Sequence, residues 1–323
     1  MALSHTDLAL DDLRRYNPDL AAPADLDDFW SATLQQARSA AAAPTLTPID
    51  GPFVAVRIED LTFTGFAGDP IRAWVTRPND DAPHPTVIEY VGYNGGRGLP
   101  GEKLAWAAAG FVHILMDTRG QGSGWGNGGD TPDPHGSGPS TAGFMTRGIS
   151  DPETYYYRRV FTDAALLVDV AASFPFVDAS RIVVTGGSQG GGIALAAAAL
   201  ADGVRAVMPD VPFLCDFPRS ITKTPEPPFT EITRYLSVHR DKAADVLHTL
   251  SYFDAAILAR RIEAPAFFSV ALMDEIVLPS TVFAAYNAVP AADKAIEVYA
   301  FNGHEGGAFR HWHRQVEWLS DRL

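Results

Sequence analysis

The sequence predicts an α/β protein, with a mostly parallel central sheet and helices on both faces. Three observations carry this. From Thr86 onward, short apolar runs rich in β-branched residues alternate with segments of helical period, the pattern of strand–helix–strand units. One such strand and one such helix are joined by a glycine-rich turn, Gly186-Gly187-Ser188-Gln189-Gly190. The chain has 323 residues, enough for one large domain of this class.

The elements follow in order. A helix is expected over Asp25–Ala42, with Asp25 or Asp27 as its cap and Phe29, Trp30 and Leu34 on one face. Val54–Phe63 and Ile71–Thr76 read as strands, and Gly68-Asp69 between them marks a turn and an antiparallel pair. The alternation then begins. Strands are expected at Thr86–Val91, Phe111–Met116, Ile182–Thr185, Val204–Pro209, Ala266–Leu272 and Ile296–Ala300. Helices are expected at Lys103–Ala109, Thr154–Phe174, after Ser188, and at Ala308–Ser320. Two stretches interrupt the pattern. Gln121–Ile149 is rich in Gly, Pro, Ser and Asp, and loops of that length usually serve a site or an interface. Phe213–Tyr252 holds a proline cluster and an amphipathic stretch, and fits a lid or wall over the sheet. With no internal repeat or linker, the expectation is a single domain over 1–323, with an N-terminal extension to about residue 80 and an insertion at about 213–252.

Composition narrows the partners. Net charge is −14 and no basic cluster occurs, which argues against nucleic acid. No window approaches the roughly 20 apolar residues of a membrane span. The first residues, MALSHTDLALDDLRRYNPDL, carry acids early and lack the apolar core of a signal peptide, so a cytoplasmic protein is expected. The lone cysteine, Cys215, excludes a disulfide within the chain, argues against a thiolate metal site, and reads as a small buried hydrophobe.

The glycine-rich turn carries the chemistry. Gly186–Gly190 fits G-x-S-x-G, in which a sharp strand-to-helix turn exposes a serine Oγ, small neighbours allow the backbones to approach, and the helix N-terminus faces a developing oxyanion. A phosphate-binding loop fits less well, since no Lys-Ser/Thr follows and the glycine spacing is wrong. Ser188 is therefore the candidate nucleophile, and it requires a base and an orienting acid. Of the histidines after it, His304 lies in a glycine-flanked loop just past the last strand, where a base at the top of the sheet belongs. His239 and His248 belong to the insertion, and His311 and His313 to the last helix. These four read as structural or surface residues. Asp274 follows the strand Ala266–Leu272 and is the candidate acid, with Glu275 and Asp210 as alternatives. The oxyanion donors are expected to be the backbone N–H groups of Gln189 and Tyr93, the latter in the glycine-rich loop Glu89–Gly98.

Together, Asp117-Thr-Arg-Gly-Gln-Gly122, Gly186-Gly-Ser-Gln-Gly-Gly191 and His304-Glu305 resemble the three motifs of carbohydrate esterase family seven. These are the acetyl xylan esterases and cephalosporin C deacetylases of the α/β-hydrolase fold. Tyr155–Asp163 and Leu272–Ile276 support the resemblance, which runs over nearly the whole chain. It implies the triad Ser188, Asp274 and His304, an oxyanion hole at Tyr93 and Gln189, and a buttressing role for Arg119 and Gln121. It also implies an acyl pocket involving Tyr93, Phe213 and Pro228. Trp125 is a further pocket candidate that fits core or loop packing better. No metal or organic cofactor is implied. The expected partner is a small acetylated substrate, and the expected assembly a homohexamer built as a trimer of dimers. In one departure, Val91 stands where the family commonly has histidine before Gly-Tyr.

Three rival functions share parts of this pattern. A prolyl-oligopeptidase-like peptidase would need a large extra domain that does not fit here. A binding protein on the same fold would not need all three triad residues. A general short-chain esterase or perhydrolase would use the same residues as the deacetylase.

Overall fold

The computed structural model describes residues 7–136, 138, 140 and 142–323. Within them, nine strands form one sheet: β1 (Thr45–Pro48), β2 (Val56–Thr64), β3 (Pro70–Pro78), β4 (His84–Tyr90), β5 (Val112–Met116), β6 (Val177–Gly187), β7 (Val204–Asp210), β8 (Ala266–Ala271) and β9 (Lys294–Tyr299). Their order across the sheet is β1-β2-β3-β5-β4-β6-β7-β8-β9. The pairs from β1 through β3 to β5 are antiparallel, and all pairs from β5 to β9 are parallel.

Both faces of the parallel part are covered, and the strand sequences show why. On β4, Ile88 and Tyr90 point into the larger core, packed beneath helices Leu26–Ser39, Tyr156–Ala172 and Gln189–Leu200. Val87 points the other way, into a smaller core with Trp106, Val183, Met208, Phe267 and Leu319. Successive strand residues face opposite sides, so a strand buried on both reads as a continuous apolar run. All five residues of β5 are buried accordingly.

Several details differ from the sequence reading. β1 was not expected; it is a four-residue edge strand, Thr-Leu-Thr-Pro, whose proline is tolerated at an edge. Asp25 sits at the N-cap of Leu26–Ser39 but makes no capping bond. Its carboxylate instead accepts from Tyr252 Oη at 2.6 Å. Asp27 pairs with Arg261. β6 begins at Val177, five residues earlier than expected. Residues 213–252 contain three helices, Phe217–Lys223, Phe229–Val238 and Ala243–Ser251. The first six residues, and 137, 139 and 141 of the long loop, lie outside the described residues.

Asp254 ties the inserted helices to the body. Its Oδ1 accepts from the backbone N–H of Asp216 and of Ala256, and its Oδ2 from that of Phe217, each at 2.9 Å. Burial pushes this carboxyl up to about 7. The folded protein thus retains a proton that the unfolded chain releases near pH 4. The stabilisation is present at the acid end and lost as pH rises through about 7.

The helix after Ser188 approaches its neighbours at van der Waals limits. A Cβ on Gly190 would lie 2.1 Å from the Tyr90 carbonyl oxygen, and one on Gly192 2.2 Å from that of Phe213.

Two predictions follow from this packing. Gly190→Ala forces backbone apart and should lower the unfolding free energy by at least about 2 kcal/mol, read as a lower urea midpoint at unchanged slope. For Asp254→Asn, the stability advantage of the parent protein should shrink as pH rises from about 4.5 to about 7.5. A difference constant across that range would contradict the prediction.

Candidate active site

The carboxyl ends of three parallel strands, β6, β8 and β9, bring three side chains together. β6 ends in the turn that carries Ser188, β8 leads to Asp274 three residues past its end, and the loop after β9 carries His304. His304 Nε2 lies 2.9 Å from Ser188 Oγ, and His304 Nδ1 lies 2.8 Å from Asp274 Oδ2. Asp274 is fully buried, and its other oxygen accepts from the backbone N–H groups of Ile276 and Val277, each at 2.9 Å. A carboxylate only accepts, so Nδ1 carries the imidazole hydrogen and Nε2 is left as an acceptor for the serine hydroxyl.

The side chains of the alternatives make no hydrogen bond to those of Ser188 or His304. Glu275 is exposed. The Asp210 carboxylate accepts from Gln315 Nε2 at 3.0 and 3.1 Å. His311 is buried, with Nδ1 3.0 Å from Tyr299 Oη, and its Nε2 is 3.0 Å from Asp210 without the alignment of a hydrogen bond. His239, His248 and His313 are exposed. Cys215 is buried, and burial raises its thiol well above the usual range.

Ser188 has φ +56° and ψ −121°. Facing it is the loop after β4, with Asn94 at φ +59°. Two interlocked glutamine side chains bind the loop to the turn. Gln121 Oε1 accepts from Asn94 N–H at 2.6 Å, while Gln121 Nε2 donates to Gln189 Oε1 at 2.9 Å. Gln189 Nε2 donates to the Val91 carbonyl at 3.2 Å, and Tyr157 Oη donates to Gln189 Oε1 at 2.8 Å. The backbone N–H groups of Tyr93 and Gln189 themselves donate to no protein acceptor among the described residues. Arg119 lies deeper. It is fully buried, grips Asp163 through Nε at 2.6 Å and Nη2 at 2.8 Å, and reaches Asp69 at 2.7 Å. Arg119 thus ties the β2–β3 hairpin to helix Tyr156–Ala172, whereas Gln121 touches the loop beside the serine.

The serine opens into a cavity of about 630 Å³. Its wall includes Tyr93, Trp125, Ala142, Pro227, Pro228 and Glu231, together with Glu89, Lys103 and Asp210. Phe213 forms no part of this lining; it is fully buried, with its ring centroid 6.3 Å from that of Tyr93 and 4.2 Å from that of Phe229. Trp125 is neither core nor simple loop packing. It is 54% exposed, lines the cavity, and donates from Nε1 to the Tyr93 carbonyl at 2.8 Å. Glu231 was not singled out by the sequence, in which it is one acid of an amphipathic helix. Its Oε1 accepts from Tyr93 Oη at 2.6 Å and from Gly143 N–H at 3.1 Å, and its Oε2 from Met145 N–H at 3.1 Å.

Among the described residues, no group of three or more His, Cys, Asp or Glu is placed to hold a metal ion, and no helix is long and apolar enough to cross a membrane. The acetyl xylan esterase family model matches residues 1–322. The chain belongs to the acetyl xylan esterase family. Membership places it among carboxylic ester hydrolases. The chain is 35% identical to an acetyl xylan esterase from Paenibacillus sp. R4, with a TM-score of 0.90 over 98% of this chain and 100% of that one. It is also 35% identical to acetyl xylan esterase 1 from Thermoanaerobacterium sp. JW/SL YS485, with a TM-score of 0.87 over 96% and 99% of the two chains. Acetyl esterase Axe7A of Xylanibacter ruminicola is 24% identical over 290 residues, which cover 85% of this chain and 62% of that protein. This chain therefore spans under two thirds of that relative's length. A Pyrococcus horikoshii acylaminoacyl peptidase shares the fold alone, at 15% identity and a TM-score of 0.59. The α/β-hydrolase fold expected from the sequence is thus the fold of its structural relatives.

Gln121→Ala would strand the Asn94 N–H in a buried site, where an unsatisfied group costs about 1–3 kcal/mol, and would leave the Gln189 amide only its bonds to Tyr157 and Val91. The variant should lose about 10- to 100-fold in kcat on an acetate ester, measured beside its urea midpoint. Unchanged turnover would show that the glutamine pair does not position the loop.

Proposed function

We propose that the protein is a serine esterase that removes acetyl groups from small acetylated substrates through Ser188, His304 and Asp274. The observation that carries this reading is the continuous chain from Asp274 through His304 to Ser188, with hydrogen bonds of 2.8 and 2.9 Å, beside two unpaired backbone N–H groups at Tyr93 and Gln189.

In the proposed mechanism, His304 Nε2 takes the Ser188 proton as Oγ attacks the ester carbonyl. Asp274 holds the imidazole tautomer and stabilises the imidazolium as it forms. The N–H groups of Tyr93 and Gln189 receive the oxyanion, and His304 returns the proton to the departing alcohol. Water then attacks the acetyl-enzyme with His304 as base, and acetate leaves. The wall of Tyr93, Ala142, Pro227 and Pro228 is the acyl side of the cavity. A tight wall of this kind discriminates by about 1–3 kcal/mol per methylene. Acetylated xylo-oligosaccharides, other acetylated sugars and cephalosporin C-like acetates are the candidate substrates. The family resemblance extends the proposal to a cytoplasmic homohexamer, and light scattering reads that mass directly.

The second reading is a general short-chain esterase or perhydrolase. It draws on the same residues and on Trp125, an exposed side chain that lines the cavity.

A series of p-nitrophenyl esters from acetate to octanoate separates the two. Acetate should give the highest kcat/KM. Ser188→Ala should lower kcat by at least about 10⁴-fold, and Asp274→Asn by about 10⁴-fold through loss of the correct tautomer. A maximum at longer acyl chains would favour the general esterase, and turnover independent of Ser188 would overturn the proposal.

A further inference from the structure

We infer that Glu231, in the first turn of the inserted helix Phe229–Val238, is a positioning and selectivity-setting residue. Through the Tyr93 hydroxyl it holds both the oxyanion loop and the acyl wall in place. The inference rests on the esterase reading above.

Three separate stretches of chain meet at this carboxylate. Tyr93 comes from the loop after β4, Gly143 and Met145 from the long loop over 121–149, and Glu231 from the insertion. Tyr93 Oη donates to Glu231 Oε1 at 2.6 Å and accepts from the N–H groups of Gly143 at 3.2 Å and Phe144 at 3.0 Å. Glu231 takes its remaining hydrogen bonds from Gly143 and Met145. All its donors are neutral, and among the described residues it forms no ion pair. A phenol-to-carboxylate bond of this length is charge-assisted and stronger than a neutral one. Burial, followed by the Glu231 charge, raises the Tyr93 phenol well above its ordinary range, so it remains a donor.

The loop needs such a hold. Gly92, Gly95, Gly96 and Gly98 surround Tyr93 and Asn94, and glycines leave a backbone free to move. Polar contacts hold it at several points, among them the Tyr93 carbonyl, which accepts from Trp125 Nε1, and the Asn94 carbonyl, which accepts from the Gly124 N–H. Asn94 N–H is bound to Gln121, and the far end of Tyr93 is bound to Glu231. The Tyr93 ring is itself cavity wall. Without Glu231, the Tyr93 hydroxyl loses its one acceptor and its charge-assisted bond and keeps only the Gly143 and Phe144 N–H groups, so the ring and the backbone N–H of the same residue are held less firmly. Misplacement of a reacting geometry by about 1 Å can cost about 100-fold in rate.

The test uses the full chain with p-nitrophenyl acetate and butyrate, which share a leaving group. Glu231→Ala should lower kcat on acetate by about 10- to 100-fold with KM within about threefold. It should also raise the butyrate-to-acetate ratio of kcat/KM by at least about fivefold. That ratio does not depend on the folded fraction, so a purely structural role leaves it unmoved. Tyr93→Phe should shift it in the same direction, and the double variant should be no worse than the more damaged single one. Glu231→Gln keeps an oxygen for Tyr93 and should recover much of the kcat and the ratio. If Glu231→Ala does not fold, Glu231→Gln and Tyr93→Phe carry the same comparison. Ratios within twofold of the parent in every folded variant, or additive losses in the double variant, would overturn the inference. Absence of Ser188-dependent hydrolysis in the parent would overturn the functional reading, and the inference with it.

Discussion

A serine backbone held at φ +56° is the constraint around which the molecule is organised. That conformation costs a residue with a side chain about 1–3 kcal/mol. It persists because its neighbours leave no alternative. Ser188 N–H donates to the Asp210 carbonyl at 2.9 Å. Its own carbonyl accepts from Gly191, Gly192 and Phe213. The helix that follows is packed so closely that Gly190 and Gly192 meet strand and loop backbone directly. Strain at one residue is thus offset by contacts spread over β4, β7 and the start of the insertion.

Around this turn, polar side chains are arranged by depth. Next to the serine are His304 and the buried Asp274, each with its hydrogen-bonding capacity used. Behind the loop after β4 lies the glutamine pair, whose amides satisfy one another and the loop at once. Deeper still, Arg119 bridges Asp163 and Asp69. A buried polar network of this kind raises the penalty for any displacement, because each broken contact leaves a desolvated group without a partner. The protein supplies this rigidity where the chain is locally weakest, in glycine-rich loops.

Much of this was legible in the sequence, for a physical reason. The strands β4 to β8 carry residues buried on both faces, so they appear as apolar runs whatever their neighbours, whereas β9, at the edge, is half-buried throughout. The strand–turn–helix at Ser188 is a local motif, and the chain order of serine, acid and histidine then restricts the remaining candidates. What was not legible depends on distant contacts. β1 is too short and polar to show a period. Asp25 looks like a cap, but a tyrosine 227 positions away takes its carboxylate. Phe213 looks like a pocket residue until Tyr93 is seen to stand in front of it. Trp125 and Glu231 gain their positions only when the long loop and the insertion meet the loop after β4. Nothing in their immediate sequence marks them.

The cavity also has a division of labour along the chain. Ser188, Asp274 and His304 follow the carboxyl ends of β6, β8 and β9, in the parallel part of the sheet. Part of the wall is contributed by the long loop and the insertion, through Trp125, Ala142, Pro227, Pro228 and Glu231. Among the described residues, these two stretches carry no strand of the sheet. On the proposed esterase reading, chemistry and selectivity are therefore encoded in separable segments. A redesign for bulkier acyl groups can rewrite the wall and leave the strand ends as they are, provided that it supplies a new acceptor for the Tyr93 hydroxyl.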